Sequence, residues 1–221
     1  LLEALRTWPW DSAEQRRNRD QLIEALEQVP FRPARSFYEA VVAYNFVYYL
    51  DDCDNPGRLD QELQPFYEND RNAGRIDFEE AAALIADFAD NVRDNAGWSA
   101  AIGGTTAHGS PAYNDVTRML LRAARGRFRP SLELRVRPDM PDEVWEEALL
   151  AAGSGAGNPA FYNEDAYLRA LQDLDLGLTP EDAAWWNGGG CTETMIHGCS
   201  NVGSIEAGIN LALVLDTTLH L

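Results

Sequence analysis

An α/β fold is predicted for this 221-residue chain by three observations. The stretch Ser131–Val136 alternates Leu132, Leu134 and Val136 with Glu133 and Arg135, which is the period of two of a β-strand. Two short apolar runs, Ser99 to Gly104 and Pro159 to Tyr162, read as further strands, and helix-patterned segments separate all three. At 45% hydrophobic residues the chain carries enough apolar surface for one sizeable core.

The elements follow in order. Leu1 to Asp11 is a short apolar and aromatic approach. Ser12 with Gln15 forms a capping box that opens a helix to about Val29, ended by Pro30 and Pro33. Ser36 with Glu39 opens a second helix, Phe37 to Leu50, whose nearly unbroken apolar character predicts burial on most faces. Asp51, Asp52 and Asp54 with Asn55-Pro56-Gly57 form an acidic turn, and their spacing fails the calcium-loop pattern. Asp77 and Glu80 cap a helix to about Arg93, broken by Gly97. Ser110-Pro111 reads as an N-cap and first-turn pair that starts a helix to about Arg125. A helix from about Pro141 to Ala152 is followed by Gly153, Gly155 and Gly157, a glycine ladder with neither the preceding strand nor the Lys-Ser/Thr of a phosphate cradle. Asn163 caps a helix from Glu164 to about Leu174, and Thr179-Pro180 opens a short one.

Charge and cysteine usage narrow the function classes. A formal net charge of −18 repels phosphate backbones and argues against a nucleic-acid partner. No run of about 20 apolar residues is present to span a membrane. Three cysteines, Cys53, Cys191 and Cys199, are too few for a secreted disulfide scaffold, so a reducing, cytoplasmic setting is expected. Cys191, His197 and Cys199 match no common zinc spacing and a fourth ligand is not evident, so no metal is expected. Cys199 is expected to be a packed or partly buried thiol.

The stretch around which the chain is organised is Trp185-Trp186-Asn187-Gly188-Gly189-Gly190-Cys191-Thr192-Glu193. Three consecutive glycines disfavour a helix at about 1 kcal/mol each relative to Ala, so Cys191 and Glu193 are expected on a loop tip. In extended backbone, residues two apart project to the same side, which would let the thiol and the carboxylate face one pocket. A facing carboxylate disfavours thiolate through like charge. The pairing therefore suits a neutral thiol that exchanges hydrogen atoms. His108 and His197 are candidate substrate contacts.

Gly190-Cys191-Thr192-Glu193 resembles the Gly-Cys-x-Glu cysteine loop of the glycyl radical enzymes, the pyruvate formate-lyase-like superfamily. Ser36-Phe37-Tyr38-Glu39-Ala40, Gly57-Arg58-Leu59-Asp60-Gln61-Glu62-Leu63-Gln64-Pro65-Phe66-Tyr67, Pro130-Ser131-Leu132-Glu133-Leu134-Arg135-Val136 and Gly157-Asn158-Pro159-Ala160-Phe161-Tyr162-Asn163-Glu164 are similar to further family segments in the same order. The resemblance runs from about Ser36 to the end. It implies a ten-stranded α/β barrel with outer helices, incomplete in this chain. Residues 1–98 would be a mostly helical outer region. Residues 99–221 would be the first barrel strands, helices and cysteine loop of one catalytic domain, with the run Ile205 to Leu221 as the helix after the loop. It further implies Cys191 as a thiyl radical that abstracts hydrogen from a small hydroxylated substrate, and Glu193 as the base. The radical would be held on a glycine of a C-terminal segment and installed by a radical S-adenosylmethionine activating enzyme. The full enzyme would be anaerobic and a homodimer.

Within that superfamily Cys-x-Glu looks like the eliminases, of glycerol or diol dehydratase and choline lyase type, and also occurs in radical decarboxylases. The acetyltransferase branch resembles a Cys-Cys pair, and here position 192 is Thr. Thr192 and Thr194-Met195-Ile196-His197 depart from the Val-Glu-Pro continuation of the dehydratases. The Arg-Val-x-Gly-Tyr signature of the radical site occurs nowhere in the 221 residues. With Leu1 at one end and Leu219-His220-Leu221 inside an apolar run at the other, the expectation is a piece of a longer lyase. The alternatives are a decarboxylase, a formate acetyltransferase-like enzyme or a noncatalytic remnant.

Overall fold

A computed structural model describes residues 1–51, 55–94, 99–189, 193–200 and 211–220. The N-terminal half is helical. A short α1 (Leu2–Thr7), not foreseen from the sequence, leads to α2 (Ala13–Gln28), which opens on the expected Ser12–Gln15 capping box. In α3 (Phe37–Asp51), Phe37, Ala40, Val41 and Tyr48 are buried, but Val47 and Tyr49 are exposed, so its apolar sequence is not covered all round. Its first turn keeps half of the expected cap, with Glu39 N donating to Ser36 Oγ at 3.2 Å, and Phe37 N donates to Asp70 Oδ2 at 2.8 Å. Glu39, expected to complete a capping box, accepts instead from the Arg35 amide and guanidinium.

The segment Gly57–Tyr67 contains a helix that the sequence reading missed. α4 (Leu59–Asn72) buries Leu59, Leu63, Tyr67 and Asp70, a stripe at spacings of three and four, and keeps Pro65 on its exposed side. α5 (Phe78–Asp94) has the expected Asp77–Glu80 reciprocal cap. The predicted break at Gly97 lies outside the described residues.

Three strands follow: β1 (Ser99–Gly103), β2 (Ser131–Val136) and β3 (Ala160–Asn163). They form a parallel sheet in the order β1-β2-β3, with Ala101 opposite Glu133 and Arg135 opposite Tyr162. Parallel neighbours need crossovers. Those here contain α6 (Asp115–Ala123) and α7 (Asp142–Gly153). α6 starts four residues later than the Ser110-Pro111 pair suggested. Asn114 and Thr117 form its capping box, whereas Pro111 bridges Thr105. α8 (Glu164–Asp173) and α9 (Pro180–Ala184) are capped by Asn163 and Thr179 as expected. Gly188 and Gly189, read as loop, belong to a hairpin: β4 (Trp186–Gly189) pairs antiparallel with β5 (Glu193–Ile196). α10 (Leu211–Leu219) covers the described part of the last apolar run. No described helix is long and apolar enough to cross a membrane.

The sheet has two different faces. Ala100, Ile102, Leu132 and Leu134 join the core formed with α3 to α7. On the other face Glu133 and Arg135 are also buried, and against them lies the hairpin.

Candidate functional site

The hairpin is held by a buried ionic cage. Arg135 makes a two-pronged pair with Glu164 at the start of α8, at 2.5 and 2.8 Å, with both side chains fully buried. Its remaining nitrogen donates to the carbonyls of Ala184 and Trp186, each at 3.0 Å. Trp186 is buried among them. Its indole N–H donates to Glu164 Oε2 at 3.1 Å, its ring stacks on Tyr167 at 3.8 Å between centroids, and the Arg135 guanidinium lies 4.6 Å from its centroid. The Ala184 carbonyl also accepts from Arg58 Nη1 at 3.1 Å.

Arg58 is buried too. It donates to the Gly103 and Thr105 carbonyls at the end of β1, at 2.5 and 2.7 Å, which joins that strand end to the chain entering β4. Beside it Asp60 Oδ2 accepts from Gly103 N at 2.7 Å and from Thr117 Oγ1 at 2.6 Å. Burial lowers the Arg58 pKa to about 10, with the nearby Arg135 charge adding to the effect. Burial likewise pushes the Asp60 carboxyl up, opposed by Arg58 and the Thr117 hydroxyl. In such a medium a charge persists through close partners of opposite sign. Glu164 supplies one to Arg135 as a direct ion pair, while Asp60 and Glu164 act on Arg58 through their charge without touching it.

β4 exposes backbone groups on the edge away from β5, and side chains satisfy them. Gly188 N donates to Glu133 Oε2 at 2.6 Å, and Gly188 O accepts from the Asn55 carboxamide. Asn55 also donates to Ser99 Oγ at 3.1 Å and accepts from Gly57 N at 2.7 Å. A Cβ on residue 188 would sit 2.5 Å from Glu133 Oε1, so any side chain here would displace the Glu133 carboxyl.

The predicted site residues fall in different places. Cys191, with Gly190 and Thr192, lies outside the described residues, between β4 and β5; Cys53 also lies outside them. The Glu193 backbone opens β5 opposite Gly189. His197 follows the other end of β5, with its N–H donating to Trp185 O at 3.1 Å. At about 3.3 Å of rise per residue, four residues separate it from Glu193 by roughly 13 Å. The His197 ring lies over Gly57, 5.5 Å from the Trp185 ring centroid, with Nε2 3.8 Å from Glu62. It borders a cleft of about 310 Å³ lined also by Asn55, Asn187, Met195 and Ser200. His108 is exposed in the turn after β1 and does not line this cleft. Cys199, expected to be packed, is an exposed free thiol after β5. Among the described residues no cluster of His, Cys, Asp and Glu could hold a metal ion.

Sequence reasoning missed the cage. It paired Arg58 with Asp60 or other neighbours and assigned Glu164 only to a helix start. The alternation in β2 was visible, but nothing local shows that its charged side is the buried one.

Comparison with known proteins places this architecture. The family model for pyruvate formate lyase-like proteins matches residues 11–221, and the chain belongs to that family. The chain is 28% identical to an isethionate sulfite-lyase of Desulfovibrio desulfuricans, over 90% of the chain and 27% of the relative. It is 25% identical to a trans-4-hydroxy-L-proline dehydratase of Clostridioides difficile, over 99% of the chain and 31% of the relative. The glycerol-bound structure of the B12-independent glycerol dehydratase from Clostridium butyricum superposes with a TM-score of 0.76 at 27% identity, covering 88% of this chain and 27% of that one. The chain thus spans less than a third of the length of these relatives.

Proposed function

We propose that the chain is the cysteine-loop portion of a glycyl radical lyase that acts on a small hydroxylated substrate. The observation that carries this reading is the Gly-Cys-Thr-Glu sequence that leads from β4 into the start of β5 of the caged hairpin. Family membership and the chemistry named for its relatives support it. On this reading β1 to β3 are consecutive strands of a ten-stranded barrel, and the ionic face of the sheet is its interior.

The radical, held on a glycine of another segment and installed by an activating partner, supplies the means to make Cys191 a hydrogen-atom acceptor. The Cys191 sulfur takes a hydrogen atom from the substrate carbon that bears a hydroxyl. That hydroxyl becomes strongly acidic, and Glu193 accepts its proton, as general-base help worth about 10²–10⁴-fold. The electron-rich centre expels the group on the neighbouring carbon with its bonding pair, and the hydrogen atom returns from sulfur to carbon. Such a site must exclude water and oxygen. A homodimeric, cytoplasmic, anaerobic enzyme accords with this chemistry.

The test is an anaerobic assay of the full-length, activated polypeptide with isethionate and glycerol, each of which carries a hydroxyl on the carbon beside its leaving group. Elimination of sulfite or water from one of them, lost in Glu193→Gln, is the expected result. Carbon dioxide from an aryl acetate would identify a decarboxylase instead. An acyl-CoA product would identify an acetyltransferase. No turnover of any substrate by a protein with a full radical signal would overturn the assignment.

A further inference from the structure

We infer that Glu133 is a positioning residue that sets the register of the cysteine hairpin, an inference that rests on reading the hairpin as the carrier of the reactive thiol. β4 has β5 on one edge. On its other edge, Trp186 O accepts from Arg135, and Gly188 N and O bond to Glu133 and Asn55. Residues 186 and 188 point their backbone groups to the same side, as alternate residues of a strand do. Side chains from β2 and from the 55–57 turn therefore take the place of a neighbouring strand. Buried backbone groups must find partners, and register is weakly specified in glycine-rich strands. Gly188, Gly189 and Gly190 offer no side chains to fix it.

Glu133 fixes it in two ways. Its Oε2 takes the Gly188 N–H, and its carboxyl occupies the space that any side chain at residue 188 would need. A slip of one residue would bring Asn187 or Gly189 opposite the carboxylate. Asn187 has a Cβ, and either slip shifts the end of β4 that leads to Cys191 by about 3.3 Å. What matters is the reach of the Glu133 oxygen. Glu133→Asp keeps the charge and falls one methylene short of Gly188. Glu133→Gln loses the charge and keeps an acceptor at the same distance.

The experiment measures alkylation of Cys191 by iodoacetamide in the full-length, unactivated polypeptide, read at its peptide by mass spectrometry. Glu133→Asp is expected to change the Cys191 rate by about tenfold, the scale of one lost buried hydrogen bond, while Glu133→Gln stays within about threefold of wild type by the same measure. Cys199, exposed beyond β5, should react alike in all three. The inference is overturned if Glu133→Asp reacts as wild type does, or if Glu133→Gln changes as much as Glu133→Asp. Because the readout needs no turnover, failure of the lyase assignment would leave this result standing.

Discussion

The two faces of β2 are built from the same six residues and stabilised by different physics. Leu132 and Leu134 face the helices and are held by volume and exclusion of water, with no directional demand. Glu133 and Arg135 face the hairpin and are held by bonds of defined length to named atoms. The helix face can be repacked with other apolar side chains at modest cost. The hairpin face fixes positions: it sets where Ala184, Trp186 and Gly188 lie. Affinity for a fold is spread over the first face, and the geometry of a site is concentrated in the second.

This contrast can be broken from either side. Arg135→Ala should have the largest effect, a loss of about 3–5 kcal/mol in urea unfolding, because Glu164 is left buried without its partner. Leu134→Ala, equally buried, should cost about 3 kcal/mol by cavity formation. Activity per folded molecule should survive this change and not the first, so equal activity in both variants would erase the distinction. Gly188→Ala forces a methyl against Glu133 and should cost about 1–3 kcal/mol, with loss of turnover out of proportion to the change in Tm. A surface pair gives the lower bound. Arg127, by a double hydrogen bond, and the neighbouring Arg93 hold the Asp90 carboxyl below its ordinary value of 3.8. A depressed carboxylate contributes stability above its unfolded pKa and loses it as pH falls through the folded pKa. Asp90→Asn should therefore cost under about 1 kcal/mol at neutral pH, and the two unfolding curves should converge as pH falls through the depressed folded pKa of Asp90.

The two faces also differ in how far they could be read from the sequence. The apolar face was legible, because alternation in β2 and the helix patterns of α5 and α7 are local signals. The ionic face was half legible. Glu133 and Arg135 stand out in the alternation, but their partners Gly188, Asn55 and Glu164 are 29 to 78 residues from one of them, too far for any periodicity to connect. β4 was hidden for a related reason. Glycine is a weak strand former, and what makes Trp186–Gly189 a strand is pairing with β5 and with side chains from β2. The same reliance on long-range partners explains α4. Pro65 and the charged residues around it weaken the helix signal, while burial of Leu63 and Tyr67 against the core decides it. At α6 two capping signals lay four residues apart, and the reciprocal Asn114–Thr117 pair prevailed over Ser110-Pro111. The thiol of the loop lies outside the described residues, and the placement of Glu193 and His197 at opposite ends of β5 emerged only once the hairpin was paired.

The central claim is that Cys191 carries hydrogen between substrate and radical. Its most direct test is the anaerobic turnover of the full-length, activated polypeptide carrying Cys191→Ser, beside the same protein carrying Cys199→Ser. The account predicts an undiminished glycyl radical signal with no detectable product in the first, and wild-type turnover in the second. Product formation by Cys191→Ser would contradict it.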